Sequence, residues 1–173
     1  DDLTLMSDRE LRKVRLRFGV VFQHAALFDS MDVYENVAFP LREHTYLKEA
    51  EIRTRVRSLL AQVGMRGSEH RLPSELSGGM RKRVGLARAL VREPKFVLYD
   101  EPTTGLDPIL TAAMDKLIED TQKANPSITS LVISHDMHAV LSIADKIVML
   151  NEGRVVHEGT PDFFRTSDDP LIR

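Results

Sequence analysis

Cysteine is absent from all 173 residues, which excludes a disulfide framework and a thiolate metal site. That absence also fits a cytoplasmic protein. Long apolar runs are missing too. Stretches such as Phe18–Phe22 and Phe96–Tyr99 fall far short of the roughly 18 residues a membrane-spanning helix needs, so any membrane role is expected to come through a partner. No signal-peptide pattern is visible, and there are no repeats or low-complexity tracts. Nor is there a charge excess. Basic residues number 24 and acidic residues 26, a net charge of −2, and nothing global points to nucleic acid. What is there, 42% hydrophobic and 29% charged residues, is the composition of a globular fold, with length enough for one domain and a sizeable core.

Local signals order the chain. Ser7-Asp-Arg-Glu10 is a capping-box pattern and predicts a helix to about Arg15. Phe18 to Phe22 reads as a buried strand ending at Gln23. Asp32-Val-Tyr-Glu35 opens a second capped helix, expected to stop near Pro40. Ile52, Val56, Leu59, Leu60 and Val63 have helical spacing, with Gly64 as the stop. Residues 32–72 are therefore expected to form a mostly helical insertion. Ser77 caps a helix predicted from Gly78 to about Arg92. Phe96-Val-Leu-Tyr-Asp100 does not alternate, the pattern of a strand covered on both faces. Asp107 as N-cap and Pro108 at the first helical position start a helix to about Asn125, and Thr129–Ile133 is a second strand of the same apolar type. Strand, helix, strand predicts parallel pairing through a right-handed crossover. Lys146–Leu150 and Arg154–His157, joined by Asn151-Glu-Gly153, read as a hairpin.

In an open parallel sheet, ligands bind beyond the carboxyl ends of the strands. Gln23 follows the first strand, Asp100 and Glu101 the second, and Ser134-His135 the third. At any single strand end a polar residue is ordinarily a turn former. A Gln, two adjacent carboxylates and a His together suit metal-assisted phosphoryl transfer: one carboxylate for Mg²⁺, a second to position water, and donors for phosphate oxygens. A second constellation, Leu76-Ser-Gly-Gly-Met80, stands where a helix begins, with free N–H groups, the positive end of the dipole, and glycines that admit an anion. Its bland alternative is an N-capped helix with a flexible start. Arg81, Lys82, Arg83, Arg88 and Arg92 follow, a basic face whose ordinary meaning is solvation and whose sharper meaning is nucleic acid.

A Gln after a strand, then L-S-G-G-M, then F-V-L-Y-D-E-P-T-T-G-L-D, then a strand ending S-H-D resemble the ABC ATPases over essentially the whole chain. The resemblance implies an α/β, P-loop NTPase-like fold with a mostly parallel sheet flanked by helices. Residues 1–31 and 93–173 would form the core subdomain, and 32–92 an inserted helical subdomain carrying the signature motif. It assigns Gln23 to the Q-loop, as a catalytic and metal-side residue. Ser77, Gly78 and Gly79 become signature residues that bind nucleotide, as does Asp107 of the D-loop; Asp100 becomes a Mg²⁺ ligand, Glu101 the catalytic base and His135 the catalytic switch histidine. The implied cofactors are ATP and Mg²⁺. The implied partners are a second ATPase subunit, head to tail, and transmembrane permease subunits that hold the protein at the inner face of the cell membrane.

A finer similarity, in Ala26-Leu-Phe28, Asn36-Val-Ala-Phe-Pro-Leu-Arg-Glu-His-Thr45, Met80 and Leu141-Ser-Ile-Ala-Asp145, is to ATPases of the Mla type. That implies phospholipid or other hydrophobic cargo, an MCE-domain substrate-binding protein and a small regulatory subunit. Other importer classes (amino acid or ion uptake) and a non-transport ABC ATPase remain as alternatives. Only 54 positions separate Gln23 from Ser77, which leaves no room for the long coiled coil of many non-transport relatives. Met80 replaces the usual Gln and cannot make its hydrogen bond. No G-x-x-x-x-G-K-[ST] occurs in the chain. By the resemblance that loop is expected before Asp1, and residues 1–173 alone are expected to be inactive.

Overall fold

The computed structural model describes residues 2–172. The chain divides into two compact units, Asp1–Ile133 and Ser134–Arg173.

In the first unit, helix α1 (Asp8–Arg15) opens with the Ser7–Glu10 capping box and buries no side chain. Strand β1 (Phe18–Val21) follows. Helices α2 (Val33–His44), α3 (Glu49–Gln62) and α4 (Gly78–Leu90) come next, then β2 (Phe96–Asp100), α5 (Pro108–Ala124) and β3 (Thr129–Ile133). The three strands form one parallel sheet in the order β1-β2-β3. Phe18 and Phe96, opposite each other in register, stack with ring centroids 4.9 Å apart. Helix α4 packs on β1, α2 and α3. The core between them is apolar: Val33, Val37, Leu41, Val56, Leu60, Val84 and Leu86 are each 0% exposed.

Three expectations need correction. The second helix does not stop at Pro40 but continues to His44. Val33, Val37, Ala38 and Leu41 lie on both sides of the proline and are fully buried, and that packing outweighs the roughly 3 kcal/mol a mid-helix proline costs. The fourth helix ends at Leu90 rather than Arg92. Strand β3 is not covered on both faces. It is hydrogen-bonded to β2 along one edge, and its alternate residues Leu131 and Ile133 remain 58% and 56% exposed. In β2, which is paired on both edges, Val97 and Tyr99 are buried while Phe96 and Leu98 are half-buried.

The second unit holds α6 (Met137–Ile143), the antiparallel hairpin β4 (Ile147–Asn151) and β5 (Arg154–Gly159), and α7 (Pro161–Thr166). The hairpin turn places Glu152 and Gly153 at φ 48° and 74°, the doubly left-handed geometry that matches strand twist. Among the described residues, no helix is long and apolar enough to cross a membrane.

Candidate functional site

All three strands of the first unit run the same way, so their carboxyl ends share one edge. The pairing of Val21 with Tyr99 carries Gln23 alongside the Asp100–Glu101 pair. Gln23 and Glu101 are half-buried and Asp100 is exposed. Gln23 on one side, and Asp100 and Glu101 on the other, therefore follow the carboxyl ends of two neighbouring strands. His135, exposed, lies two residues past β3 within the second unit.

Glu101 is the most constrained of these. Its φ of 47° is left-handed, which costs a non-glycine residue on the order of 1 kcal/mol or more. The surroundings hold it there. Its N–H donates to the Ile133 carbonyl at 3.0 Å, its own carbonyl accepts from the Thr104 N–H at 3.3 Å and from Lys82 Nζ at 3.3 Å, and its Oε2 accepts from Thr104 Oγ1 at 2.7 Å. A strained carboxylate at a strand end, fixed from three sides, is the kind of outlier that marks a functional position.

Helix α4 begins as the sequence predicts. Ser77 has extended backbone and its Oγ accepts from the Met80 N–H at 3.3 Å. The first turn holds no acidic residue, so the positive end of the helix dipole is uncompensated and suits an anion. Gly79 is buried, and a Cβ there would stand 3.5 Å from Leu110, so the start of α4 lies against the start of α5. At that second helix Asp107 is exposed, and its Oδ1 accepts from the N–H groups of Ile109 and Leu110, both at 3.0 Å. One oxygen therefore caps its own helix.

The basic side chains of α4 are anchored to backbone carbonyls, although Arg81 itself remains exposed. Arg81 donates to the Leu76 carbonyl (2.6 Å), Arg83 to the Val63 carbonyl (3.1 Å), and Arg88 to those of Ala26 and Ala25 (2.7 Å each). Lys82 is only 6% exposed. Burial holds its ammonium below the ordinary lysine range, and the nearby Glu101 charge works in the opposite direction. Sequence reasoning missed the anchors of Lys82, Arg83 and Arg88 because their partners lie 19 to 63 residues away in the chain. The available signal was Gly85: a Cβ there would meet Ala25 Cβ at 3.1 Å, which marks a face made for close backbone approach.

Among the described residues no cluster of three or more His, Asp or Glu side chains is arranged to hold a metal. Asp100 and Gln23 offer two oxygen donors, a hard set of the kind Mg²⁺ accepts when phosphate and water complete its shell. A cleft of about 670 Å³ lies elsewhere, between α3 and the end of α4, and none of the candidate residues lines it.

A family model described as ABC transporter matches residues 2–104. Over 172 residues the chain is 47% identical to the probable ribonucleotide transport ATP-binding protein mkl of Mycobacterium tuberculosis (strain ATCC 25618 / H37Rv), covering 99% of this chain and 48% of that protein. Over 173 residues it is 42% identical to the intermembrane phospholipid transport system ATP-binding protein MlaF of Escherichia coli (strain K12), covering 100% of this chain and 64% of that protein. Among solved structures, the ATP-binding cassette MJ0796, a dimer in a post-hydrolysis state bound to ADP and Pi, is similar with a TM-score of 0.79 at 29% identity, over 91% of this chain and 68% of that one. The chain thus spans about half the length of mkl and less than two thirds of MlaF.

Proposed function

On the premise that this chain belongs to the ABC transporter family, we propose that the protein carrying it binds and hydrolyses ATP to power a transporter. The single observation that carries this reading is Glu101, held in left-handed backbone beside Asp100 at the carboxyl end of β2. A carboxylate so fixed can accept the proton of an attacking water. Gln23 stands alongside to orient that water. Asp100 with Gln23 would hold Mg²⁺, which supplies neutralising charge to the phosphates when bound. His135 would steady the charge developing on the transferred phosphoryl group.

The dipole end of α4, with Ser77 exposed, Gly78 half-buried and Gly79 packed against Leu110, would serve as a phosphate cradle. In a head-to-tail pair it would serve the nucleotide held by a second copy, with Asp107 beside it. The core subdomain would comprise 1–31 and 93–173, and the helical subdomain 32–92 would pass the cycle on to permease subunits. The protein would then work at the cytoplasmic face of the membrane through those subunits, together with an MCE-domain substrate-binding protein and a small regulatory subunit.

For cargo, phospholipid or another hydrophobic molecule is favoured by 42% identity to MlaF across the whole chain. Ribonucleotide is a second reading, favoured by 47% identity to mkl. The two separate cleanly in vesicles reconstituted with the full-length protein and its permease. MgATP-dependent transfer of labelled phospholipid, without uptake of labelled ribonucleotide, is the expected result. Nucleotide uptake without lipid transfer would overturn the lipid assignment.

A further inference from the structure

Among the described residues, five non-glycine residues have positive φ: Ala25 (60°), Ala26 (46°), Glu93 (54°), Glu101 (47°) and Glu152 (48°). The backbone carbonyls of three of them accept hydrogen bonds from cations of one helix. Lys82 Nζ reaches the Glu101 oxygen at 3.3 Å, and the two terminal nitrogens of Arg88 reach the Ala26 and Ala25 oxygens at 2.7 Å each. The strained segments so held are the ones that follow β1, two residues past Gln23, and β2, at Glu101 itself. Both cations lie on α4, whose amino end is the candidate phosphate cradle.

The fit is close in backbone terms. At Gly19 in β1 a Cβ would stand 2.4 Å from the Ala89 carbonyl oxygen, and at Gly85 one would meet Ala25. The Arg88 guanidinium also lies 5.9 Å from the Phe28 ring centroid, on the far side of the same loop. An ammonium buried against a carbonyl, and a guanidinium fork spanning two, are charge-assisted bonds with fixed geometry. They impose a position on the left-handed residues that the residues' own preferences oppose.

We propose that Lys82 and Arg88 are positioning residues that lock Glu101 and the Gln23 loop to α4, so that the phosphate cradle and the water-orienting groups of one chain move as a unit. This rests on the reading of Glu101 and Gln23 as ATP-hydrolysing groups. In the head-to-tail arrangement the cradle serves one nucleotide and Glu101 the other. Lys82 then couples the two ATP sites through a single side chain.

The test uses the full-length protein, comparing wild type with Lys82→Met, Lys82→Arg and Arg88→Lys for kcat, KM for ATP, Hill coefficient and thermal melting. Lys82→Met is expected to lower kcat by about tenfold or more with KM for ATP within about twofold, and to bring the Hill coefficient toward 1. Lys82→Arg, which keeps the charge, restores most of both. Arg88→Lys, which cannot span two carbonyls, lowers kcat in the same manner while melting cooperatively. Should Lys82→Met fail to fold, Lys82→Arg and Arg88→Lys decide the matter by the same readouts. Wild-type kcat and cooperativity in Lys82→Met or Arg88→Lys, or a kcat loss with the Hill coefficient unmoved, overturns the coupling while leaving the ATPase reading intact. A wild-type protein without turnover overturns that reading instead.

Discussion

Asn36 and Phe28 exchange two hydrogen bonds: Asn36 Oδ1 accepts from the Phe28 N–H at 2.8 Å, and Asn36 Nδ2 donates to the Phe28 carbonyl at 3.1 Å. The same amide donates to the Met31 and Asp32 carbonyls at 3.0 Å each, and the residue is 0% exposed. One side chain therefore replaces the backbone pairing of the loop that runs from the Gln23 segment into α2. Asn36→Ala leaves those buried groups unsatisfied, and the loss is expected to be about 3 kcal/mol or more by denaturant unfolding. A change under about 1 kcal/mol would show that water replaces the amide without penalty.

Gly19 marks the contact between β1 and α4. A methyl group there would lie 2.4 Å from the Ala89 carbonyl oxygen, and backbone on both sides leaves little room to yield. Gly19→Ala is expected to cost about 3 kcal/mol. Thermal melting checks this, and a wild-type melting temperature would contradict the packing described for that face.

Tyr99, 1% exposed near the carboxyl end of β2, has its phenol pushed up to about 12, chiefly by burial and against the lowering effect of a hydrogen bond with Ser130. The neutral phenol is the form the fold prefers. Its contribution is complete below the unfolded value near 10, and is lost as pH rises from there through about 12. The loss is on the order of 2–3 kcal/mol. Tyr99→Phe should abolish that part of the alkaline destabilisation. Identical stability curves for both proteins above pH 10 would refute the assignment.

Much of this was legible because it is local chemistry. Ser7–Glu10 and Asp32–Glu35 read as capping boxes, and Asp107-Pro108 as a helix start, because each signal lies within three residues of its effect. Strand β2 ends at Asp100, where its apolar run gives way to Asp100-Glu101. Pro40 misled for the same reason: the local rule for proline is sound, but it lost to tertiary burial of Val37 and Leu41. The exposed residues Leu131 and Ile133 look like core from sequence, since apolar character says nothing about what lies across a sheet face. Lys82 and Arg88 were hidden most deeply. Their acceptors lie 19 and up to 63 residues away, and no periodicity within α4 records a carbonyl on another element.

In the proposed function Glu101 is the group that accepts the proton of water. Steady-state turnover of the full-length Glu101→Gln variant at saturating MgATP, measured beside its nucleotide affinity, tests that most directly. The change keeps the side chain's size and its hydrogen bond with Thr104 while removing the basic oxygen. Turnover is predicted to fall by about 100-fold or more with affinity within about threefold of wild type. Turnover near the wild-type rate, or a loss that tracks weakened nucleotide binding, would contradict it.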